Sequence, residues 1–486
     1  MQRTMRVLAL AMATTIAASP MAHSQTIGLE QVIREVCANS DSVKMMKESV
    51  IRADQMVREN WSNALPVISA TGYGAQSYGS LFSGSGGGSS SSSRSLAKEA
   101  STFTPGDSGT LAYIESELMQ FSSLGNPQSA TIYSAGISFS QPIFTFGKIG
   151  TAIKVAQEFS KSAHLTYARN MQTLQLTALD MFFTTVYAEK LNGIHERTVA
   201  RKKELYEFTN RNFQLGSGIR ATVLSARSDF TKESANLLKA NRDAQQSRMF
   251  LNSFMGRPLT DLAPLDTSME LPGLMATVVP DPAKAIGVAL EGRPELKSLK
   301  LFAEATEGGA KIFKAMYLPS IAATGSAGWS KYAGNPLFSN NGAANWTLGV
   351  GAQWTLFDGF SNSAKAREYL SDAHKLEIAY ETLSKAIEIE MRSDIRDCTV
   401  YDSMYESSKE AYESAVESYN LTSDNFKAGS GTFSDLKFAD ESLQQAEVGL
   451  IQARFNQMRS RAALLVALGN DIVPVNDKRK PDKEEQ

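Results

Sequence analysis

Residues of the types that carry out catalysis are few in this sequence, and they stand far apart. His164, His195 and His374 each occur singly in segments with helical periodicity, and His23 lies near the N-terminus. No His-Glu-x-x-His, Gly-x-Ser-x-Gly or clustered Cys/His motif is found, and no Lys-Ser/Thr follows the glycine-rich stretch 84–88. We therefore predict that the protein is not an enzyme and has no metal site and no cofactor.

The cysteine count and the charge exclude two further classes. Cys37 and Cys398 are the two cysteines of the chain, too few for a disulfide framework or a zinc site, and whether they pair stays open. The formal net charge of −2 gives no sign of a nucleic-acid partner.

Two Gly-Ser-Gly segments are the most informative short motifs. Residues Gly216, Ser217 and Gly218 form the first, and Gly429, Ser430 and Gly431 form the second. Each follows a long segment without proline and precedes another helical segment, so we predict a turn at the tip of a helical hairpin. Asp435 stands just after the second turn, where an acid complements the positive end of a helix.

The two motifs belong to an internal repeat. Residues 136–256 align with 349–469 at an offset of 213, except around 180–187, where 214 fits better, and the alignment matches glycines, aromatic residues and an Asn-Phe pair. One structural unit present twice explains this agreement better than chance does.

The repeat and the composition predict the domain organisation. Arg3 and Arg6 precede a short apolar run and small residues, so 1–24 is a predicted signal peptide. The remaining predicted segments are the first repeat, 25–256, with an inserted Gly/Ser-rich loop at about 79–128; the inter-repeat linker, 257–280; the second repeat, 281–469; and a charged tail, 470–486.

Each repeat has the same predicted elements. An opening helix (25–64 and 281–316) leads into two alternating strands, which are followed by a very long helix and a returning helix. The strands are predicted at 66–78, 131–144, 321–330 and 345–354, and 361–428 is a run of about 68 residues without proline or glycine, or roughly 100 Å of helix.

Tryptophans on the strands indicate a membrane. Trp346 and Trp354 are eight residues apart on one strand, a separation of roughly 26 Å, and Trp329 lies on the strand before. An outer-membrane barrel has an apolar band about 25 Å tall between aromatic girdles. We therefore predict that Trp329, Trp346 and Trp354 form a girdle against outer-membrane lipid.

Four strands are too few to close a barrel. An open sheet would leave backbone groups unpaired in hydrocarbon, and the smallest closed barrels have about eight strands. The chain must therefore combine its strands with those of other copies.

At this point the sequence resembles the TolC family of outer-membrane export channels. The resemblance rests on Arg-Pro-Glu-Leu at 293–296, the Leu-Pro pairs at 65–66 and 318–319, Pro142-Ile143-Phe144, the Leu-Phe-Asp-Gly at 356–359 and the Phe-x-x-Gly tips. It implies an α+β membrane protein: a homotrimer with a twelve-stranded β-barrel, four strands per chain, continued by a long α-helical barrel in the periplasm. It also implies docking of a periplasmic adaptor on the two Gly-Ser-Gly tips, and through it an inner-membrane pump or ABC translocator.

The resemblance implies a constriction at the periplasmic tips. Asp435 matches the first acid of the family's second-half motif, whereas Phe438 stands at the second acid, Phe426 at a tyrosine and Thr222 at a first-half acid. We therefore expect one acidic ring at Asp435, with Phe426 and Phe438 making the constriction more apolar.

Two questions remain open from the sequence. The alternative to an outer-membrane channel is a periplasmic coiled-coil adaptor or receptor, which helical hairpins would also suit. Within the channel family, protein secretion and small-molecule efflux use the same duct, so the substrate is not specified.

Overall fold

The computed structural model describes residues 26–77, 130–268, 274, 279–333 and 342–474. The predicted signal peptide lies outside these ranges, and so do the inserted loop, part of the linker and most of the tail. Within the described ranges, no helix combines the length and the apolar character that crossing a membrane requires.

The same order of elements occurs twice along the chain. The first series comprises α1 (Leu29–Asn39), α2 (Asp41–Ser62), β1 (Val67–Ser77), β2 (Ala130–Phe144), α3 (Lys148–Gln214) and α4 (Arg220–Met255). The second comprises α5 (Pro282–Gly292), α6 (Pro294–Ala315), β3 (Ser320–Ala333), β4 (Ala343–Gln353), α7 (Ser361–Lys427) and α8 (Phe433–Ala467).

The prediction of one opening helix per repeat is wrong. Ser40 is extended between α1 and α2, and its hydroxyl accepts a hydrogen bond from the Ser42 N–H at the start of α2, as a cap does. In the second repeat Arg293 is extended between α5 and α6 because Pro294 disfavours a helical conformation for the residue before it. Helical periodicity continues through both breaks, which hides them in the sequence.

The long helices are as predicted. α3 and α7 have 67 residues each, and the returning helices α4 and α8 have 36 and 35. α4 ends at Gly256, which has φ +72° and caps the helix in the left-handed conformation that favours glycine. Because globular helices average about 11–12 residues, α3 and α7 are not core helices of an ordinary domain.

The chain divides into two compact units, each with its own packing. The first comprises Met1–Ile51, Lys161–Lys300 and Glu377–Gln486, and the second Arg52–Ser160 and Leu301–Leu376. The larger apolar cluster of the first unit joins α1, α3, α4 and α8 around the fully buried Phe182 and Phe183.

Arg293 and Glu295 of the Arg-Pro-Glu-Leu motif organise a second part of this unit. The buried Arg293 donates from Nε to the Ala467 carbonyl at the end of α8 (2.6 Å) and pairs through Nη1 with Glu390 of α7 (2.6 Å). Glu295 pairs with Arg169 of α3 (3.1 Å). The two motif residues therefore attach the α5–α6 junction to three other helices.

The second unit contains a four-stranded antiparallel sheet in the order β1-β2-β3-β4. Directly opposite residues share a face, and the register separates two kinds of side chain. One row across all four strands is Ile68, Phe139, Gly325 and Leu348; the next row, on the other face, is Ser69, Ser138, Ser326 and Thr347. The sheet therefore has an apolar face and a face of hydroxyl-bearing and small residues, with β1 and β4 at its edges.

Candidate functional site: the helix tips and the strand tryptophans

The first tip is a compact turn between α3 and α4. Gly216 has φ +81°, and the N–H and hydroxyl of Ser217 both donate to the Asn212 carbonyl (2.9 and 3.0 Å). A Cβ on Gly218 would lie 2.6 Å from the backbone nitrogen of Phe213. The turn therefore needs glycine at 216 for its conformation and at 218 for its close approach.

The second tip has the same geometry in the second repeat. Gly429 has φ +80°, and the N–H and hydroxyl of Ser430 both donate to the Asn425 carbonyl (2.9 and 3.1 Å). A Cβ on Gly431 would lie 3.0 Å from the nitrogen of Phe426. Both serines are exposed. The structure thus forms the predicted hairpin turns at both sites, and their role in docking stays a prediction.

Asp435 is the third residue of α8 and part of its N-terminal cap. The Thr432 hydroxyl donates to Asp435 Oδ2 (2.6 Å), and the Asp435 N–H donates to the same hydroxyl (3.1 Å). These bonds tie the first turn of α8 to its cap, and an acidic residue at this position complements the positive end of the helix. Asp435 is exposed, so its carboxylate caps the helix while remaining accessible from outside the bundle.

The first repeat lacks this arrangement. Ile219 occupies the cap of α4 and offers no side-chain acceptor, and the half-buried Thr222 donates its N–H to the Ile219 carbonyl (3.1 Å). The two hairpins are therefore alike in their turns and unlike in charge at the helix start.

The two phenylalanines of the predicted constriction have different surroundings. Phe426 is half-buried, with its ring centroid 5.8 Å from that of Phe208 and 6.3 Å from that of Phe433. Phe438 is 67% exposed. Within one chain Phe426 thus contributes to packing between α3 and α7, whereas Phe438 is available for contacts beyond the chain.

Sequence reasoning missed a buried ionic network about two to five helical turns from the tips. Asp440 of α8 is buried and accepts from Arg201 Nε of α3 (2.7 Å). Glu233 of α4 is also buried and lies 3.7 Å from Lys202 of α3, which is 3.9 Å from Asp440. Burying these carboxylates would be costly without such partners, so the network fixes how α3, α4 and α8 meet.

His195 belongs to this network. Its Nδ1 lies 2.6 Å from Glu233 Oε1, and Asn236 donates to the other carboxylate oxygen (3.1 Å). Burial by itself raises the pKa of Glu233, but these hydrogen bonds and the nearby Lys202 outweigh it and lower the pKa. A sequence signal existed: Glu233 stands midway between Ala226 and Ala240, at the seven-residue spacing of a buried helix face.

A small cavity lies beside the network. Its volume is about 40 Å³, and Arg201, Tyr419, Phe426 and Asp440 are among the residues that line it. The cavity is large enough for a water molecule and too small for an organic ligand.

The tryptophans lie on the sheet and its margin. Trp346 pairs with Ala327 and Trp329 with Ala344, so the two indoles are diagonal neighbours on the apolar face. Trp354 is one residue beyond β4 and donates from Nε1 to the Tyr317 carbonyl (2.9 Å). All three are exposed, by 42% at Trp329, 78% at Trp346 and 61% at Trp354. Their contact with lipid stays a prediction.

The described residues contain no group of three or more His, Cys, Asp or Glu side chains that could hold a metal ion. Cys37 and Cys398 are buried free thiols in two different apolar clusters, and burial raises the pKa of Cys37 to about 11.

Comparison with known proteins identifies the family. A family model described as Outer membrane efflux protein matches residues 32–257 and 285–470. The chain belongs to the outer membrane efflux protein family. The predicted resemblance to TolC-type channels and the predicted outer-membrane location are thereby confirmed, and the adaptor or receptor alternative is disfavoured. Members of the family are channel proteins rather than enzymes.

Individual relatives agree with this assignment. The Alkaline protease secretion protein AprF of Pseudomonas aeruginosa is 24% identical over 262 residues, which cover 52% of this chain and 52% of AprF. The alignment thus spans about half the length of that relative.

Solved structures show the same fold across most of the chain. The CmeC outer membrane channel of Campylobacter jejuni has a TM-score of 0.72 at 15% identity, covering 91% of this chain and 85% of CmeC. VceC of Vibrio cholerae gives 0.68 at 14%, covering 91% and 96%, and the open-state MtrE channel of Neisseria gonorrhoeae gives 0.67 at 18%, covering 92% and 89%. The predicted TolC-like α+β fold is confirmed.

Proposed function

We propose that the protein is the exit duct of a tripartite export system. Three copies form a homotrimer whose twelve strands close a β-barrel in the outer membrane. The helices of the three copies form a periplasmic tunnel. This tunnel is a passive conduit that is gated at its helix tips and carries out no reaction on the transported molecule.

The observation that carries the proposal is the two-faced sheet with open edges. Ile68, Phe139 and Leu348 share the face that would meet lipid, and Ser69, Ser138 and Thr347 share the face that would meet water. A sheet with this division suits a barrel wall. Because unpaired edge groups are costly in hydrocarbon, β1 and β4 require strands from neighbouring copies.

The adaptor docks on the hairpin tips in this proposal. Ser217 and Ser430 are exposed at the ends of the two hairpins, and both turns are shaped by glycines, at 216 and 429 through a positive φ and at 218 through a close approach to the backbone. A periplasmic adaptor bound there connects the duct to an inner-membrane pump or ABC translocator.

The constriction is formed by Asp435 and Phe438, with Thr222 and Phe426 behind them. Three Asp435 carboxylates around a three-fold axis would favour cations, as acidic rings do in cation channels. The exposure of Phe438 leaves its ring free to narrow the same opening.

Two cargo classes follow from the comparisons. The likeness to AprF, which is named for alkaline protease secretion, favours protein export, whereas the family description favours efflux. Deleting the gene separates them: loss of a secreted protein from the medium supports export, and increased sensitivity to toxic small molecules supports efflux.

The experiment that tests the duct combines reconstitution with crosslinking in cells. We expect the purified protein to form ion-conducting channels in planar bilayers, and photo-crosslinkers at Ser217 and Ser430 to capture a periplasmic protein. Crosslinkers at the exposed Lys44 and Glu48 of α2 provide the control. A protein that gives no conductance and is extracted without detergent would contradict the proposal.

A further inference from the structure

The four helices near the tips have unequal numbers of partners within the chain. α3 contacts each of the others, through His195–Glu233 to α4, Arg201–Asp440 to α8 and Glu204–Lys427 to α7. α8 also reaches α4 through Lys437–Asp229 (2.9 Å) and α7 through Gln457–Asp402 (2.8 Å). α3 and α8 are therefore the central pair, and α4 and α7 flank them.

The outward face of α4 is basic. Its exposed cationic side chains are Arg220, Arg227, Lys232, Lys239 and Arg242. Arg242 pairs with the adjacent Asp243, and no ion pair is seen for the other four among the described residues. The acids of this part of α4, Asp229 and Glu233, are instead used in contacts with α3 and α8. The outward positive charge is therefore not neutralised within the chain.

The outward face of α7 is acidic over the same distance from the tip. Its exposed carboxylates are Glu406, Glu410, Glu413, Glu417 and Asp424. Their spacing of three, four and seven residues places them on one side of the helix. No ion pair is seen for any of them in the described part of the chain. Lys409 is also exposed between Glu406 and Glu413, but five carboxylates in about five turns leave a net negative charge, so this face would gain from a cationic neighbour.

Both faces also expose large apolar side chains. Leu224 and Leu238 of α4 are 56% and 75% exposed, and Met404 and Leu421 of α7 are 47% and 59% exposed. Apolar side chains interspersed with charges at helical spacing are typical of a helix that packs against another helix.

Contacts inside the chain fix the relative heights of the two faces. Arg201 of α3 lies over the ring of Tyr419 of α7 (5.5 Å), and Thr185 of α3 donates to the Ser247 carbonyl of α4 (3.2 Å). The position of a residue along the axis of α7, its height above the tip, can thus be compared with positions on α3 and then on α4, at about 1.5 Å of rise per residue.

By this comparison, acidic residues of α7 stand at the same heights as basic residues of α4. Three pairs stand level to within about one helical turn: Asp424 with Arg227, Glu417 with Lys232, and Glu413 with Lys239. Copies related by a closed rotational symmetry stand at one height, so a level match within one chain also holds between neighbouring copies.

We propose that the acidic face of α7 packs against the basic face of α4 of the next copy, which makes an electrostatic seam between copies above the tips. The proposal rests on the homotrimer of the proposed function and names the surfaces that join it. The occupant of each face is a second copy of this chain, because the two faces carry opposite charges at matching heights. Charge complementarity of this kind sets the register and pairing of the copies more than the strength of their association.

Crosslinking between copies tests the position of the seam. We expect Lys239→Cys combined with Glu413→Cys to give covalent dimers and trimers with a short bis-maleimide. Lys239→Cys with Glu207→Cys on the central helix α3 is the matched control and should give none. Since Cys37 and Cys398 are buried, the wild-type chain should not react. A trimeric wild type in which the first pair gives only monomer would overturn the seam, whereas a monomeric wild type would overturn the proposed function instead.

Charge reversal tests the electrostatic part. At low salt we expect Lys232→Glu with Lys239→Glu, or Glu413→Lys with Glu417→Lys, to reduce the trimer fraction in detergent about tenfold. Combining all four should restore it, and salt should weaken each effect. The control, Lys203→Glu with Glu207→Lys, reverses an exposed pair on α3 and should change nothing. Four substitutions that fail to rescue, with each double variant folded by circular dichroism, would refute the pairing.

Discussion

At the scale of single residues, the tips depend on glycines that have different tasks. Gly216 supplies a left-handed conformation with φ +81°, whereas Gly218 lacks space for a side chain because Phe213 lies against it. Gly150, at the start of α3 and away from the tips, has nothing within 4 Å of an added Cβ. The sequence predicted the turns from the Gly-Ser-Gly motifs, but it did not distinguish these two requirements, because a close approach depends on where the chain returns.

Gly218→Ala should destabilise the first tip by about 1–3 kcal/mol, since the methyl group forces the turn open. Hydrogen exchange of the amides at 213–219 should speed up accordingly. Gly150→Ala should leave that exchange unchanged. Equal exchange in the two variants would show that the turn relaxes without cost.

Phe438→Ala should raise the single-channel conductance in planar bilayers, since it removes an exposed ring from the predicted constriction. Phe426→Ala should act mainly on stability, at about 3 kcal/mol, because its ring packs between Phe208 and Phe433. An unchanged conductance for Phe438→Ala would mean that this ring does not line the opening.

Asp394 of α7 predicts a pH dependence. Burial, with Glu390 and Asp397 nearby, raises the pKa of Asp394 to about 6. A carboxyl whose pKa is higher in the folded state favours folding while protonated, and this contribution is lost as the pH rises from about 4 to about 6. At pH 8 the charged group therefore destabilises the fold.

Asp394→Asn should stabilise the protein by about 1–2 kcal/mol at pH 8 and have little effect at pH 4, after allowance for partial exposure. Thermal unfolding in detergent at the two pH values measures the difference. Asp372→Asn, at an exposed position, is the control and should show no comparable gain at pH 8. Equal effects at both pH values would show that Asp394 does not titrate in this range.

At the scale of elements, prolines and glycines made the long helices predictable, and alternation made the strands predictable to within three residues. The breaks at Ser40 and Arg293 escaped because apolar periodicity continues across them. The network of Arg201, Asp440 and Glu233 escaped for another reason. Its members are far apart in sequence, and their meeting depends on how the helices cross rather than on any local pattern.

Arg293→Met should destabilise the first compact unit by about 1–3 kcal/mol, the cost of an unsatisfied buried acceptor, since Glu390 is 44% exposed and can regain water. The substitution leaves Glu390 and the Ala467 carbonyl without their buried donor. Thermal unfolding would measure the loss, and Lys297→Met, at an exposed site of the adjoining helix, should change stability by less than about 0.5 kcal/mol. A similar stability for both variants would show that the junction is held by apolar packing alone.

At the scale of the whole molecule, the sequence predicted an assembly from a shortage of strands. The described sheet supports that reasoning because an apolar row and a row of hydroxyl-bearing residues, on opposite faces, run across all four strands. The number of copies could not be derived in this way, because a sheet with two open edges specifies that neighbours exist and not how many.

The mature chain should require detergent for extraction from the outer-membrane fraction and should sediment with the mass of three chains. Tyr73→Pro and Gly72→Pro each remove one backbone N–H of β1; N–H groups of adjacent strand residues point to opposite sides, so one of the two faces β2 and the other faces the neighbouring copy. Of the two, the variant that blocks a bond between copies should yield monomers, and the other should disturb only β1–β2 pairing. Trimers from both variants would argue against strand sharing.

The row of Ser69, Ser138, Ser326 and Thr347 has a practical consequence for whatever travels through the duct. The short hydroxyl side chains exchange hydrogen bonds readily with water. They offer a passing molecule neither a charged group nor an apolar surface to bind. In the proposed barrel, the width of the cargo would therefore limit passage along this wall, whereas selection by the sign of its charge would act at Asp435, at the helix tips.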